Sequence, residues 1–332
     1  MGKQMIETAK APAYVQLMGR IKKGSGETVD IPEGAINIGG AGYGFLISEQ
    51  HDWDPFGESN HDGTLDDPQV GDDFFIYAVQ PEDGAVADII ASANATWPDG
   101  YDAETSRRLG GGHYGKWRTL EDRYDSSASA QTGIIPNSLW DRMHRPRCEP
   151  AGMVEIIKGS VWVDIYLNSS DGAEWPGTAG ESKIDAQPLD CNDIARYDFF
   201  TYAANADKRL PTLAEMYIAA YGVPQGATDA GGRIDTGSHG DYGFDAVSCY
   251  GVDQPAGNLW QFCSDASDDH GSYNNADVGK DSEFDHGQGR MRHVRFGGYW
   301  SDTSEAGARC SNGLYPWGQY GHIGFRAACD SL

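Results

Sequence analysis

Two stretches decide how this chain reads: Arg295-Phe296-Gly297-Gly298-Tyr299-Trp300-Ser301-Asp302-Thr303, and then Ile323-Gly324-Phe325-Arg326-Ala327-Ala328-Cys329-Asp330. Paired glycines permit close backbone approach. Trp300 is a large anchor, and Arg309 and Arg326 carry planar forks that can tie loop carbonyls or carboxylates. Gly297, Gly298, Trp300, Arg309 and Arg326 therefore read as scaffold. Interspersed with them are Tyr299, Ser301, Thr303, Asn312, Tyr315, Trp317, Gln319, Tyr320 and His322. That mixture of aromatic and small polar side chains has the composition of a paratope, giving contact area at low entropic cost together with adaptable hydrogen bonds. Strand alternation would place Tyr299, Ser301 and Thr303 on one, exposed side and a buried Trp300 on the other. Pro316 with Gly313, Gly318 and Gly321 disfavours regular structure, so 315–320 reads as loop surface.

Upstream, Thr212 is an N-cap and Glu215 completes a capping box, with Leu213, Met216, Tyr217, Ala220 and Tyr221 in helical register until Gly222 and Pro224. A second helix is expected over 194–206, although Phe199-Phe200-Thr201-Tyr202 also suits a strand. Beyond Val223 no further long helix is legible. The expected support for so much loop is scattered Trp260, Trp300 and Trp317 among Arg292, Arg295, Arg309 and Arg326.

Toward the N-terminus, 1–50 reads as an attachment segment and 51–133 as a β-rich module. Phe74–Val79 is a buried strand there, followed through Pro81-Glu82-Asp83-Gly84 by another at 85–91. Gly110-Gly111-Gly112 reads as punctuation between short strands, and the polar run 125–132 as a linker or exposed loop. The final domain spans 134–332 and opens with a strand pair, 153–157 and 161–167.

The composition excludes several classes. With 332 residues, 39% apolar and 11% aromatic, the chain has material for a core. Its net charge of −25 disfavours nucleic acid and anionic membrane as partners. There is no apolar run long enough for membrane insertion, and no secretory leader is read at the N-terminus. Six cysteines without a C-x-x-C pair read as free thiols. H-E-x-x-H, G-x-S-x-G and the P-loop are absent. Asp265, Asp268, Asp269, Asp277, Asp281, Glu283 and Asp285 read as a solvated loop, with structural calcium as the alternative and no other cofactor expected.

Four ordered blocks then carry a resemblance: Arg209-Leu210-Pro211-Thr212-Leu213-Ala214-Glu215, Gly257-Asn258-Leu259-Trp260-Gln261-Phe262, Arg295-Phe296-Gly297-Gly298-Tyr299-Trp300 and Gly324-Phe325-Arg326. Together they resemble the formylglycine-generating-enzyme branch of the C-type-lectin fold, where the blocks read approximately R-L-P-T-x-A-E, G-N-V-W-E-W, R-G-G-x-W and G-F-R. The resemblance implies an α+β chain, with a C-type-lectin fold from about 134 onward behind a β-rich N-terminal module. Copper-dependent oxidases of that branch carry closely spaced cysteines after the third block. Here Ser301, Asp302 and Thr303 stand there, and the cysteines nearby are the widely separated Cys310 and Cys329.

The terminal segment is instead similar to the variable proteins of diversity-generating retroelements. That likeness implies a non-catalytic protein with a diversified face over about 290–326, displayed on a phage-like tail or a cell surface. It implies a protein or glycan receptor on a target cell, and a homotrimer. The oxidase and a glycan-binding lectin are the alternatives.

Overall fold

The Phe74–Val79 run lies within the strand Asp73–Val79, whose residues from Phe74 onward are all buried. It runs antiparallel to Ser106–Trp117 on one side and Asp88–Ser92 on the other, so the second expected strand begins later than read. Gln131–Ile134 and Trp140–Asp141 also pair with Ser106–Trp117. Gly110-Gly111-Gly112 sits inside that strand rather than between strands. A Cβ at Gly111 would lie 2.4 Å from the Phe74 carbonyl oxygen, so glycine admits a neighbouring backbone here.

The computed structural model describes residues 6–7, 14–39, 43–192, 195–268, 291–314 and 319–332. These fall into two units: 1–117, 131–160 and 330–332 in the first, 118–130 and 161–329 in the second. The expected division at 133/134 does not coincide with them: the strand Met153–Ile157 lies in the first unit, and the expected linker 125–132 is divided, with 125–130 in the second unit and 131–132 in the first. The described part of the expected attachment segment is also strand-forming. Val15–Leu17, Gly34–Asn37 and Tyr43–Ile47 share one sheet, and Lys22–Lys23, Val29–Ile31 and Gln50–Trp53 another. Leu17, Val29, Ile31, Ile36, Phe74 and Ile76 build the core of this unit.

Among the described residues the second unit holds two α-helices, α1 (Arg196–Asn205) and α2 (Leu213–Ala219). α2 starts where the sequence places it: Thr212 Oγ1 accepts from the Glu215 N–H at 3.2 Å, and Glu215 Oε2 accepts from the Thr212 N–H at 2.7 Å. Arg209 grips the same carboxylate with both Nη atoms at 2.8 Å. A four-stranded sheet in the order Ser311–Leu314, Met291–Phe296, Trp260–Asp268, Ile323–Gly324 carries the C-terminal segment. Ile323–Gly324 lies parallel to Trp260–Asp268 and the other pairings are antiparallel. Phe199 stacks on Phe325 at 4.6 Å and joins Tyr202, Leu210, Trp260 and Phe262 in one core. Met216, Val223, Cys263 and Phe296 form a second cluster.

Candidate ligand-binding face

The scaffold under the terminal segment is a buried polar network centred on Arg326, which exposes no surface. Its Nη1 donates to the carbonyls of Asp164 (2.8 Å) and Ile165, Nη2 to that of Asp253 (2.6 Å), and Nε to Gln261 Oε1 (3.1 Å). Full burial pushes the guanidinium down to about 10, against the pull of Asp253 and Asp164. Gln261 in turn donates to the Pro255 carbonyl at 2.8 Å. Asn258 bonds Ile234 in both directions, at 3.0 and 2.9 Å, and also donates to Gln254 Oε1 at 2.9 Å. Loops far apart in sequence are thus tied by side chains that satisfy their backbone groups, where no ladder can.

Above this network the chain turns at Gly297 (φ +99°) and Gly298 (φ +83°), a region closed to most side chains. A Cβ at Gly298 would stand 2.7 Å from that of Ala306. The next residues are not an extended strand. Asp302 Oδ2 accepts from the Tyr299 N–H and the Asp302 N–H returns to the Tyr299 carbonyl, both at 3.0 Å, before a 3-10 helix at Thr303–Glu305. Alternation therefore fails here, and Trp300 is half-buried rather than a buried anchor. Its backbone is fixed: N–H to the Asn258 carbonyl at 3.1 Å, and C=O from the Asp229 N–H at 2.9 Å.

An aromatic group results, with His322 at its centre. The His322 ring lies 4.6 Å from Tyr299, 5.3 Å from Tyr320 and 6.4 Å from Trp300. Tyr320 is 44% exposed; Ser301, Thr303, Asn312 and Gln319 are exposed, and Tyr299 and His322 half-buried. Tyr315 and Trp317 lie outside the described residues, as does the acidic run from Asp269 to Asp285. Arg295, expected from sequence only as loop support among the scattered tryptophans, also reaches this face: its guanidinium covers the Trp260 ring at 4.3 Å with Nη1 3.4 Å from His322 Nε2. Burial and then the Arg295 charge hold the His322 imidazole below its ordinary value, so the face is set for a neutral histidine.

Arg309 does not act as scaffold. It is exposed and lines a surface cavity of about 510 Å³ with Tyr124, Gln225, Glu305 and Cys310, because it stands at the outer corner of the turn closed by the Cys310 N–H on the Gly307 carbonyl at 3.0 Å, while Gly307 is buried and Ala308 and Cys310 are half-buried. Burial, then Asp302, pushes the Cys310 thiol up to about 11, and burial raises Cys191 to about 12.

Residues 26–141 match the family model described as the Mtd second domain. Over 289 residues the chain is 29% identical to the tail fiber receptor-binding protein of Bordetella phage BPP-1, covering 79% of this chain and 72% of that protein. Among solved structures it superposes on the U1 and M1 variants of the major tropism determinant with a TM-score of 0.67 each. Identity is 24% in both cases, over 99% of this chain and 86% of theirs. The fold is that of the major tropism determinants. The α+β, C-type-lectin-like architecture expected from the four blocks is therefore present, with the aromatic group and the Arg326 network carried on a tropism-determinant fold.

Proposed function

We propose that this chain is a non-catalytic receptor-binding protein of a phage tail, and that the face formed by Tyr299, Ser301, Thr303, Asn312, Gln319, Tyr320 and His322 meets the receptor. The observation that carries this reading is the layering: exposed aromatic and small polar side chains stand on backbone fixed by the buried Arg326–Gln261–Asn258 network. Such a base holds the contact groups pre-organised while allowing them to change without cost to folding. The likeness to a tail fiber receptor-binding protein of Bordetella phage BPP-1 supports the assignment to a virion tail. Retroelement diversification of the 290–326 segment, extending to Tyr315 and Trp317, belongs to the same reading, as does trimeric display, which multiplies weak contacts through avidity.

Flow cytometry of the labelled chain against a panel of bacterial strains tests it. Saturable binding to a subset of strains is expected, and loss of that binding in Tyr320→Ala/His322→Ala, a variant that stays folded with a modestly lowered thermal melt because the half-buried His322 ring leaves its place beside Tyr299. Protease or periodate treatment of the cells separates a protein receptor from a glycan one. Undiminished binding by the folded double variant would remove this face from recognition.

A further inference from the structure

A second site is visible in the first unit. In a chain of net charge −25, one surface cleft of about 430 Å³ is lined by Arg107, Arg108 and Arg142 together with Trp97, Thr96 and Ser106. Its volume is within the roughly 300–1,000 Å³ of small-molecule sites. The three arginines are committed to different degrees. Arg107 donates through Nη1 to the carbonyls of Tyr14 and Asn37, both at 2.9 Å. Arg108 makes a two-pronged contact with Glu149, 3.0 Å on each arm, and its guanidinium lies over the rings of Phe75 (5.4 Å) and Trp140 (5.2 Å). Arg142 is half-buried and makes no side-chain hydrogen bond or ion pair with any described residue.

Like charge accumulates at this spot. Burial, then the charges of Arg145 and Arg108, lowers the Arg142 guanidinium; burial, then Arg142, lowers Arg107 to about 10. Glu149 is the one carboxylate in ion-pair contact with these three arginines among the described residues. An anion entering the cleft would relieve that repulsion and find a planar fork with no prior partner. The other lining groups narrow the ligand further. Trp97 is 45% exposed and offers an indole plate, and the exposed Thr96 hydroxyl can donate and accept, whereas the buried Ser106 hydroxyl already donates to the Asp102 carbonyl at 2.8 Å and has only its lone pairs to offer. A flat aromatic, the Thr96 hydroxyl and a guanidinium together suit a pyranose ring bearing an acidic group, its apolar face on the indole and its anion on Arg142.

We infer that this cleft binds an anionic saccharide, as a site separate from the aromatic face of the second unit.

Isothermal titration calorimetry on the full chain tests this with tetragalacturonate and glucose 6-phosphate as anionic probes and maltotetraose as the neutral one. The two anionic probes separate a carboxylate preference from a phosphate preference. Saturable binding of at least one of them is expected, with none for maltotetraose. Arg142→Gln should weaken it by about 10-fold or more, the worth of a charge-assisted hydrogen bond, and Trp97→Ala should weaken it as well. Lys158→Gln, which removes the same charge at an exposed turn, should match the parent. If Arg142→Gln fails to fold, Arg142→Lys keeps the charge without the fork and should bind more weakly than the parent. Absence of saturable binding by both anionic probes at millimolar concentration would overturn the inference, as would equal binding by a folded Arg142 variant. So would self-association of the parent that Arg142→Gln abolishes, since a second copy would then fill the cleft. The probes are defined compounds, so failure of the cell-binding experiment leaves this result intact.

Discussion

Arg326 Nε donates to Gln261 Oε1 at 3.1 Å, joining the C-terminal segment to a strand residue 65 positions away inside a region with no access to solvent. This contact closes the network that fixes the loops beneath the aromatic face. Arg326→Met would leave Gln261 Oε1 and the carbonyls of Asp164 and Asp253 buried without their Arg326 donor, while the Ile165 carbonyl would keep the Asp253 N–H at 2.8 Å. At roughly 1–3 kcal/mol per orphaned group, partly relieved by relaxation, a loss of at least about 3 kcal/mol is expected. Urea denaturation measures it, and a loss below about 1 kcal/mol would show that the network does not hold the fold.

Gly298→Ala should cost about 1–3 kcal/mol, since it forces a side chain into φ +83° and against Ala306. Gly232→Ala is the contrast: nothing lies within 4 Å of its Cβ position, and a change within about 0.5 kcal/mol is expected. Paired thermal melts give the difference.

Trp300→Ala should leave a folded protein. The ring is half-buried and packs edge-on against Tyr299 at 5.2 Å, so about 1–2 kcal/mol of stability is at stake, far from the cost of a buried tryptophan. Cell binding should fall in the same variant because Tyr299 and His322 lose a neighbour. A melt that drops by the 3–5 kcal/mol of a core truncation would restore Trp300 to the core.

His322 sets a pH dependence. Its folded value lies below the ordinary 6.5, through burial and then Arg295, with Asp302 opposing. The unfolded chain therefore takes up the proton first as pH falls. The stabilising contribution of the neutral ring is complete above 6.5, declines as pH falls below it, and is lost through the lower folded value. Stability of the parent minus that of His322→Gln should decrease between about pH 7 and 5. A difference that is flat or rises on acidification would mean the ring is not held neutral.

The legible parts of this molecule were those whose partners lie close in sequence. The Thr212–Glu215 capping box needs only four consecutive residues, and α2 starts where it predicts. Phe74–Val79 was readable from its unbroken apolar run. The Arg326 network was not, since its Nη1 partners stand 161 and 162 residues upstream and no local pattern encodes them. Trp300 was misplaced because alternation presumes an extended backbone, whereas Asp302 folds its own carboxylate back to the Tyr299 N–H. Asp302 two residues after the tryptophan was the available sign of that turn. Arg309 and Arg326 have the same chemistry, and only burial separates the exposed one from the buried one.

The most direct measurement is the distribution of substitutions along the 3′ end of the gene in sibling isolates or parallel passaged clones. The account predicts replacements concentrated at codons 299, 301, 303, 312, 315, 317, 319, 320 and 322. It predicts none at Asn258, Gln261, Gly297, Gly298 or Arg326, whose side chains or bare Cα atoms hold the backbone in place. Replacements spread evenly along the segment, or gathered on those five positions, would contradict it.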